Sequence, residues 1–71
     1  SLFETIIVST NDELVKLYIE DKIKFGDISK KLLKIVNLKE FNKYKKITPN
    51  SLENIIKLDE YVRLKIKTMS I

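Results

Sequence analysis

The sequence predicts an all-α fold, a small bundle of three to four helices, and three observations carry that prediction. Apolar residues recur at helical spacing in three separate stretches. The breakers are scarce and well placed, one Gly at 26 and one Pro at 49, each beside a polar cluster between two of those stretches. The one strand-like run, the β-branched Ile6-Ile7-Val8, has no partner strand to pair with. A chain of 71 residues is one domain, so residues 1–71 are read as a single helical-bundle domain.

The first helix has two possible starts. Thr10-Asn11-Asp12-Glu13 has the form of a capping box, which would begin a helix at 10 with Leu14, Val15, Tyr18 and Ile19 as its apolar residues. Alternatively Leu2, Phe3, Ile6 and Ile7 share a face with Thr10 and Leu14, and one helix runs from 2 to 21. Pattern leaves both open. Continuity of the stripe favours the long helix.

Lys22 to Gly26 reads as a turn, with Gly26 as the position of positive φ and Ile23 and Phe25 plugging the corner between helices. Asp27 is the expected N-cap of a second helix, whose stripe is Ile28, Leu32, Ile35 and Val36. Asn37 ends it, because Asn tolerates the left-handed conformation. Leu38 and Phe41 continue as a short helical piece or a packed loop. Pro49, with Asn50 and Ser51, starts a last helix of about 50 to 69. Its expected stripe is Leu52, Ile55, Ile56, Tyr61 or Val62, Ile66 and Met69.

Composition excludes several kinds of chemistry. There is no Cys and no His, hence no zinc finger, thiolate cluster, disulfide framework, Cys nucleophile or Ser-His-Asp triad. One Gly cannot build a phosphate-binding loop or a dinucleotide fingerprint. Apolar packing must therefore carry a fold whose expected stability is about 4–10 kcal/mol. No apolar run approaches the length of a membrane span. The absence of Cys fits a reducing compartment, and the chain is read as cytoplasmic. It does not start with Met, as expected of a processed protein or of a piece of a longer one.

The net charge is +4, unevenly spread. Residues 30–46 hold seven Lys against Glu40 alone. Such a stretch could contact phosphate, and Tyr44 among Lys43, Lys45 and Lys46 makes a small basic-aromatic cluster. A basic helical module that binds nucleic acid is thus the second reading. The preferred one is a solvated surface, because 13 of the 14 basic residues are Lys, the weaker choice for forking phosphate.

The carboxylate pairs Asp12/Glu13, Glu20/Asp21 and Asp59/Glu60 are neighbours about 100° apart on a helix, so none is a ready acid–base pair. Asp12…Glu20 or Glu13…Asp21 would need a partner helix to complete a metal site, and charged surface is the expected role. Asp59 and Arg63 are the most telling pair. Arg63 is the single Arg in a chain that otherwise uses Lys, and it stands four residues after Asp59. On an exposed helix such a pair contributes about 0.5 kcal/mol or less, so a cost near 2 kcal/mol on its loss would mean burial or a network.

Two stretches carry a resemblance. Asn11-Asp12-Glu13-Leu14-Val15-Lys16-Leu17-Tyr18-Ile19, followed by Ile23-Lys24-Phe25-Gly26-Asp27-Ile28, resembles without a gap the segment N-E-x-x-V-x-x-F-L-x-x-x-I-x-F-x-D-I in the C-terminal domain of the 1-deoxy-D-xylulose 5-phosphate reductoisomerase family. Leu58-Asp59-Glu60-Tyr61-Val62-Arg63 is similar to that family's late D-x-x-A-R. The likeness covers roughly 5–28 and 51–66 and leaves 30–50 unmatched. Where the family has L-N-A-A-N-E, this chain has Ile7-Val8-Ser9-Thr10-Asn11-Asp12, and the Ala before the late Arg is Val62.

The resemblance implies a parent enzyme that rearranges and reduces 1-deoxy-D-xylulose 5-phosphate to 2-C-methyl-D-erythritol 4-phosphate, in the non-mevalonate route to isoprenoid precursors. It implies NADPH and a divalent metal (Mg or Mn) as cofactors of that parent, a nucleotide-binding domain and a central catalytic domain as partners, and a homodimer. No matched position is catalytic, cofactor-binding or metal-ligating, so this chain is expected to be an inert helical buttress without cofactors of its own. Leu2, Phe3 and Ile6 are the expected exposed apolar patch where the other domains dock.

Overall fold

The computed structural model describes residues 1–69, and every regular element among them is helical. Helix α1 runs Phe3–Ile19, α2 runs Asp27–Val36, a 3₁₀ helix η1 runs Lys39–Lys46, and α3 runs Leu52–Thr68. The all-α bundle that the sequence predicts is the fold observed. Helix α1 lies at the centre, packed against α2, α3 and η1.

The long first helix is the one that forms. Thr10 lies in its middle, fully buried, so the capping-box sequence caps nothing. The apolar residues on both sides of Thr10 decide this: starting at 10 would strip Leu2 and Ile6 from the core, where both are buried. Expected as an exposed patch with Phe3, they are core instead, and Phe3 itself is half-buried against them.

Helix α1 ends earlier than the turn glycine implied. Lys22 N–H donates to Leu17 O (2.9 Å) and Asp21 N–H to Tyr18 O (3.0 Å), the paired bonds of a Schellman ending. The left-handed residue is Asp21, at φ 60°, whereas Gly26 has φ −64°. The helix runs out of core contacts at Leu17, so the reversal comes there, and Asp is among the residues that tolerate it.

Helix α2 begins at Asp27, the residue expected to cap it, and Gly26 occupies the cap position one residue earlier. Asp27 Oδ2 accepts from the backbone N–H of Lys24 (3.0 Å), so its side chain ties the turn behind it rather than the helix ahead. Ile35 and Val36 are buried, with Ile28 and Leu32 packed against the core, as the stripe predicts. Asn37 does end the helix, but at φ −91° rather than left-handed, its side-chain amide donating to Leu33 O (2.8 Å). Ile23 plugs the corner; Phe25 does not, being 72% exposed with its ring edge-on to Tyr18.

Phe41 is fully buried and anchors η1 to α1. The strand-like exit at Ile47 accepts from Leu2 N–H (2.8 Å), which closes this layer over the start of α1. Ser51 caps α3 by accepting from Asn54 N–H (3.2 Å), and Pro49 precedes the cap instead of starting the first turn. The buried residues of α3 are Leu58, Val62 and Ile66, flanked by Ile55 and Met69. Leu52 and Ile56, expected in that stripe, face outward, and of the alternatives Tyr61 and Val62 it is Val62 that is buried. The phase is set by Leu58 and Val62 facing α1, which turns positions 52, 56 and 61 away.

Candidate functional site

The densest cluster of functional groups lies where α3 crosses α1. Arg63 reaches over from α3 and is met by three carboxylates. Its Nε lies 2.9 Å from Asp59 Oδ1, Nη2 3.1 Å from Asp12 Oδ2, and Nη1 3.6 Å from Glu13 Oε1. Asp59 is supplied by the preceding turn of the same helix, and Asp12 and Glu13 by adjacent positions of α1. Two neighbours on α1 point about 100° apart, so one guanidinium lying along the helix can engage both. The planar fork is what makes this possible; a Lys would offer a single point charge. The lone Arg of the sequence is thus accounted for.

Ser9, which the sequence analysis did not single out, completes the cluster. It sits one turn before Glu13 on the inner face of α1, fully buried, and its hydroxyl donates to Asp59 Oδ1 (2.5 Å). Thr5 O is a second acceptor at 2.7 Å. One hydroxyl proton serves one acceptor at a time, and the charged carboxylate is the stronger. The 3–4 spacing of Ser9, Asp12, Glu13 and Lys16 put them on one face, and that was the available signal.

Glu13 is the most buried charge, its side chain 4% exposed. Beside Arg63 it has Lys67 Nζ at 3.8 Å and Lys16 Nζ at 3.9 Å. Its Oε1 has ion-pair neighbours but no hydrogen bond. Three cations and three carboxylates therefore balance within one cluster. Burial works against the charge on Asp59, yet the bonds from Ser9 and Arg63 outweigh it and hold that carboxyl below its ordinary value. Arg63 is raised in turn, first by its bond to Asp12 and then by that to Asp59.

A second polar cluster, also not anticipated, ties η1 to α3. Tyr61 O–H donates to Glu40 Oε1 (2.7 Å), and Lys65 Nζ lies 3.0 Å from Glu40 Oε2. The Tyr61 bond and then the Lys65 bond lower Glu40, and the same contacts raise Tyr61 and Lys65.

The remaining candidates stay apart. Glu20 pairs with Lys22 (3.5 Å), Asp21 makes the helix ending, and Glu60 is exposed. Among the described residues no group of three or more His, Cys, Asp or Glu is arranged to hold a metal ion. Asp12, Glu13 and Asp59 converge on Arg63, not on an open space. Their chemistry is cohesion: an ionised carboxylate already bonded to a cation is a poor general base. Tyr44 is half-buried, its ring centroid 6.5 Å from that of Phe41, so it belongs to the edge of the core. Lys43 and Lys45 lie over the rings of Tyr44 and Phe3. The basic cluster therefore presents no free stacking surface, and the nucleic-acid reading gains no support. No helix among the described residues is long and apolar enough to cross a membrane.

The chain is 58% identical, over all 71 of its residues, to 1-deoxy-D-xylulose 5-phosphate reductoisomerase from Pelagibacter ubique (strain HTCC1062), and it spans 18% of that protein. No solved structure matches. A family model described as DXP reductoisomerase C-terminal domain matches residues 1–65, which takes in α1, α2, η1 and the Asp59–Arg63 pair. On that match this chain belongs to the DXP reductoisomerase C-terminal domain family.

Proposed function

We propose that residues 1–71 form one domain, the helical buttress of a reductoisomerase acting on 1-deoxy-D-xylulose 5-phosphate in isoprenoid-precursor biosynthesis. The observation that carries this is the 58% identity along the whole chain to a protein of that name, of which the chain spans 18%. The structure supports a supporting role, because its one dense ionic cluster is spent on joining α1 to α3. The family resemblance implies that NADPH and a divalent metal are held by the other domains of a homodimeric, cytoplasmic parent, and that residues 1–71 contribute no catalytic, cofactor-binding or metal-ligating side chain.

The test is to express the whole parent polypeptide and follow NADPH consumption with 1-deoxy-D-xylulose 5-phosphate. The parent turns over; the 71 residues alone neither consume NADPH nor bind it. Deleting them lowers the parent's activity or its solubility. Saturable NADPH binding by the isolated chain, or a parent indifferent to the deletion, overturns the proposal.

A further inference from the structure

The charge of the molecule is segregated. Residues 30–46 hold seven Lys against Glu40 alone, while in the rest of the chain seven cations face nine carboxylates. Pairing follows the same division. Lys16, Lys22, Lys57, Arg63, Lys65 and Lys67 each lie within 3.9 Å of a carboxylate. Among the described residues, none of the seven Lys of 30–46 has such a partner. Even Glu40 is spent elsewhere, on Tyr61 and Lys65 of α3.

These cations ride on a fixed support. Helix α2 and η1 follow each other with only Asn37 and Leu38 between them, and both pack on α1. Buried Phe41 anchors η1. Lys30, Lys34, Lys39, Lys43, Lys45 and Lys46 are all exposed. Lys43 and Lys45 rest on aromatic rings, 5.2 Å from the centre of Tyr44 and 5.1 Å from that of Phe3. Lys30 and Lys34 stand one turn apart on α2, where like charges destabilise a helix. The fold therefore gains nothing from most of this charge and is opposed by part of it.

Solvated ammonium groups on one ridge act as point charges. They fix no geometry, as a guanidinium fork would, but they sum to a positive potential. Such a potential concentrates anions, and it lowers KM for an anionic substrate whose site lies within it, whether or not encounter limits the rate. The substrate of the proposed function is a phosphate monoester, with a charge of about −2 at neutral pH. We infer that the lysine ridge of α2 and η1 is an electrostatic guide for that phosphorylated substrate, open to solvent and within a Debye length of the mouth of the parent's active site, about 10 Å at 0.1 M salt. This rests on the proposed function, which supplies the anion.

The test is made in the whole parent polypeptide. Lys30→Gln, Lys34→Gln, Lys39→Gln and Lys46→Gln are combined, and KM and kcat for the phosphorylated substrate are measured from low to high salt. The guide predicts that KM rises about tenfold at low salt with kcat unchanged, and that the difference falls below about twofold at 1 M, where the Debye length is about 3 Å. Arg at the same four positions keeps the charge and leaves KM as it was. An unchanged KM in the Gln variant at low salt overturns the inference. So does a rise that persists at 1 M, the mark of a direct contact, or one that the Arg variant shares, the mark of lost packing. Adding Glu4→Gln, Asp21→Asn, Glu53→Gln and Glu60→Gln, all at exposed positions, restores the net charge but not the ridge. A KM that stays high supports the guide, and one that recovers assigns the effect to net charge and overturns it. The unmodified parent gives a reading of its own: its KM climbs with salt, and a KM flat across the salt range overturns the inference as well. A parent that does not act on this substrate at all is a failure of the proposed function. The ridge is then read in the 71-residue chain, from relaxation of its amides by an anionic and a neutral nitroxide; enhancement by the anion no greater at 30–46 than elsewhere overturns the field itself.

Discussion

Replacing Arg63 by Ala removes the one group that three carboxylates share. Asp12 is more than half exposed, so its pairing with Arg63 is screened and contributes a few tenths of a kcal/mol. Asp59 and Arg63 are each about one-third exposed and joined at 2.9 Å, which lies between a surface pair and a buried one and contributes about 1 kcal/mol. Glu13 matters most, because it stays behind at 4% exposure with only Lys67 and Lys16, each nearly 4 Å away. Stranding a buried, poorly compensated carboxylate costs about 1–2 kcal/mol more. Together the loss is about 2–3 kcal/mol, a large part of the about 4–10 kcal/mol expected for a domain of this size. Urea denaturation of the 71-residue chain followed by circular dichroism is the assay. With a slope of about 1 kcal/mol/M, the midpoint falls by about 2–3 M. Arg63→Lys recovers only part of this, since an ammonium cannot fork three ways. A double-mutant cycle with Glu13→Gln gives the coupling directly. A midpoint shift below about 0.5 M for Arg63→Ala would refute the reasoning and return Arg63 to the ordinary surface.

Two further predictions follow from the same structure. Asp59 is held below its ordinary value of 3.8, so its contribution is fully present above that value and is lost as pH falls through its lower folded value; stability measured from pH 6 downward should decline below about 4, less steeply in Asp59→Asn, and parallel curves would contradict the assignment. Gly26→Ala should stabilise the chain by about 0.4–1 kcal/mol, because a methyl there meets nothing within 4 Å and φ is already helical; a lowered melting temperature would show that the glycine is needed for something else.

Helix number, order and the inner stripes of α1 and α2 were legible in the residues, because those stripes depend only on the 3.6-residue period and on how much apolar surface each segment must hide. The stripe of α3 was legible in part: Ile55, Ile66 and Met69 lie in or against the core as their spacing predicts. Between Tyr61 and Val62, and among Leu52, Ile56 and Leu58, only the direction from which α1 approaches decides which is buried. The position of the left-handed residue was equally hidden, since glycine permits positive φ without requiring it, and the end of the core contacts put the reversal at Asp21.

Arg63 stood out by its singularity, and its link to Asp59 by spacing, both properties of a single helix. Asp12, Glu13 and Ser9 lie about fifty residues away in the chain, and nothing local marks them as partners of Arg63. By itself the sequence determined that this is an all-α bundle with no thiol, imidazole or glycine loop to do chemistry with, because composition and period are summed along the chain. Only the tertiary structure decided which charges meet and which apolar residues of α3 are buried, because both depend on how far one helix is rotated against the next, and no residue carries that angle alone.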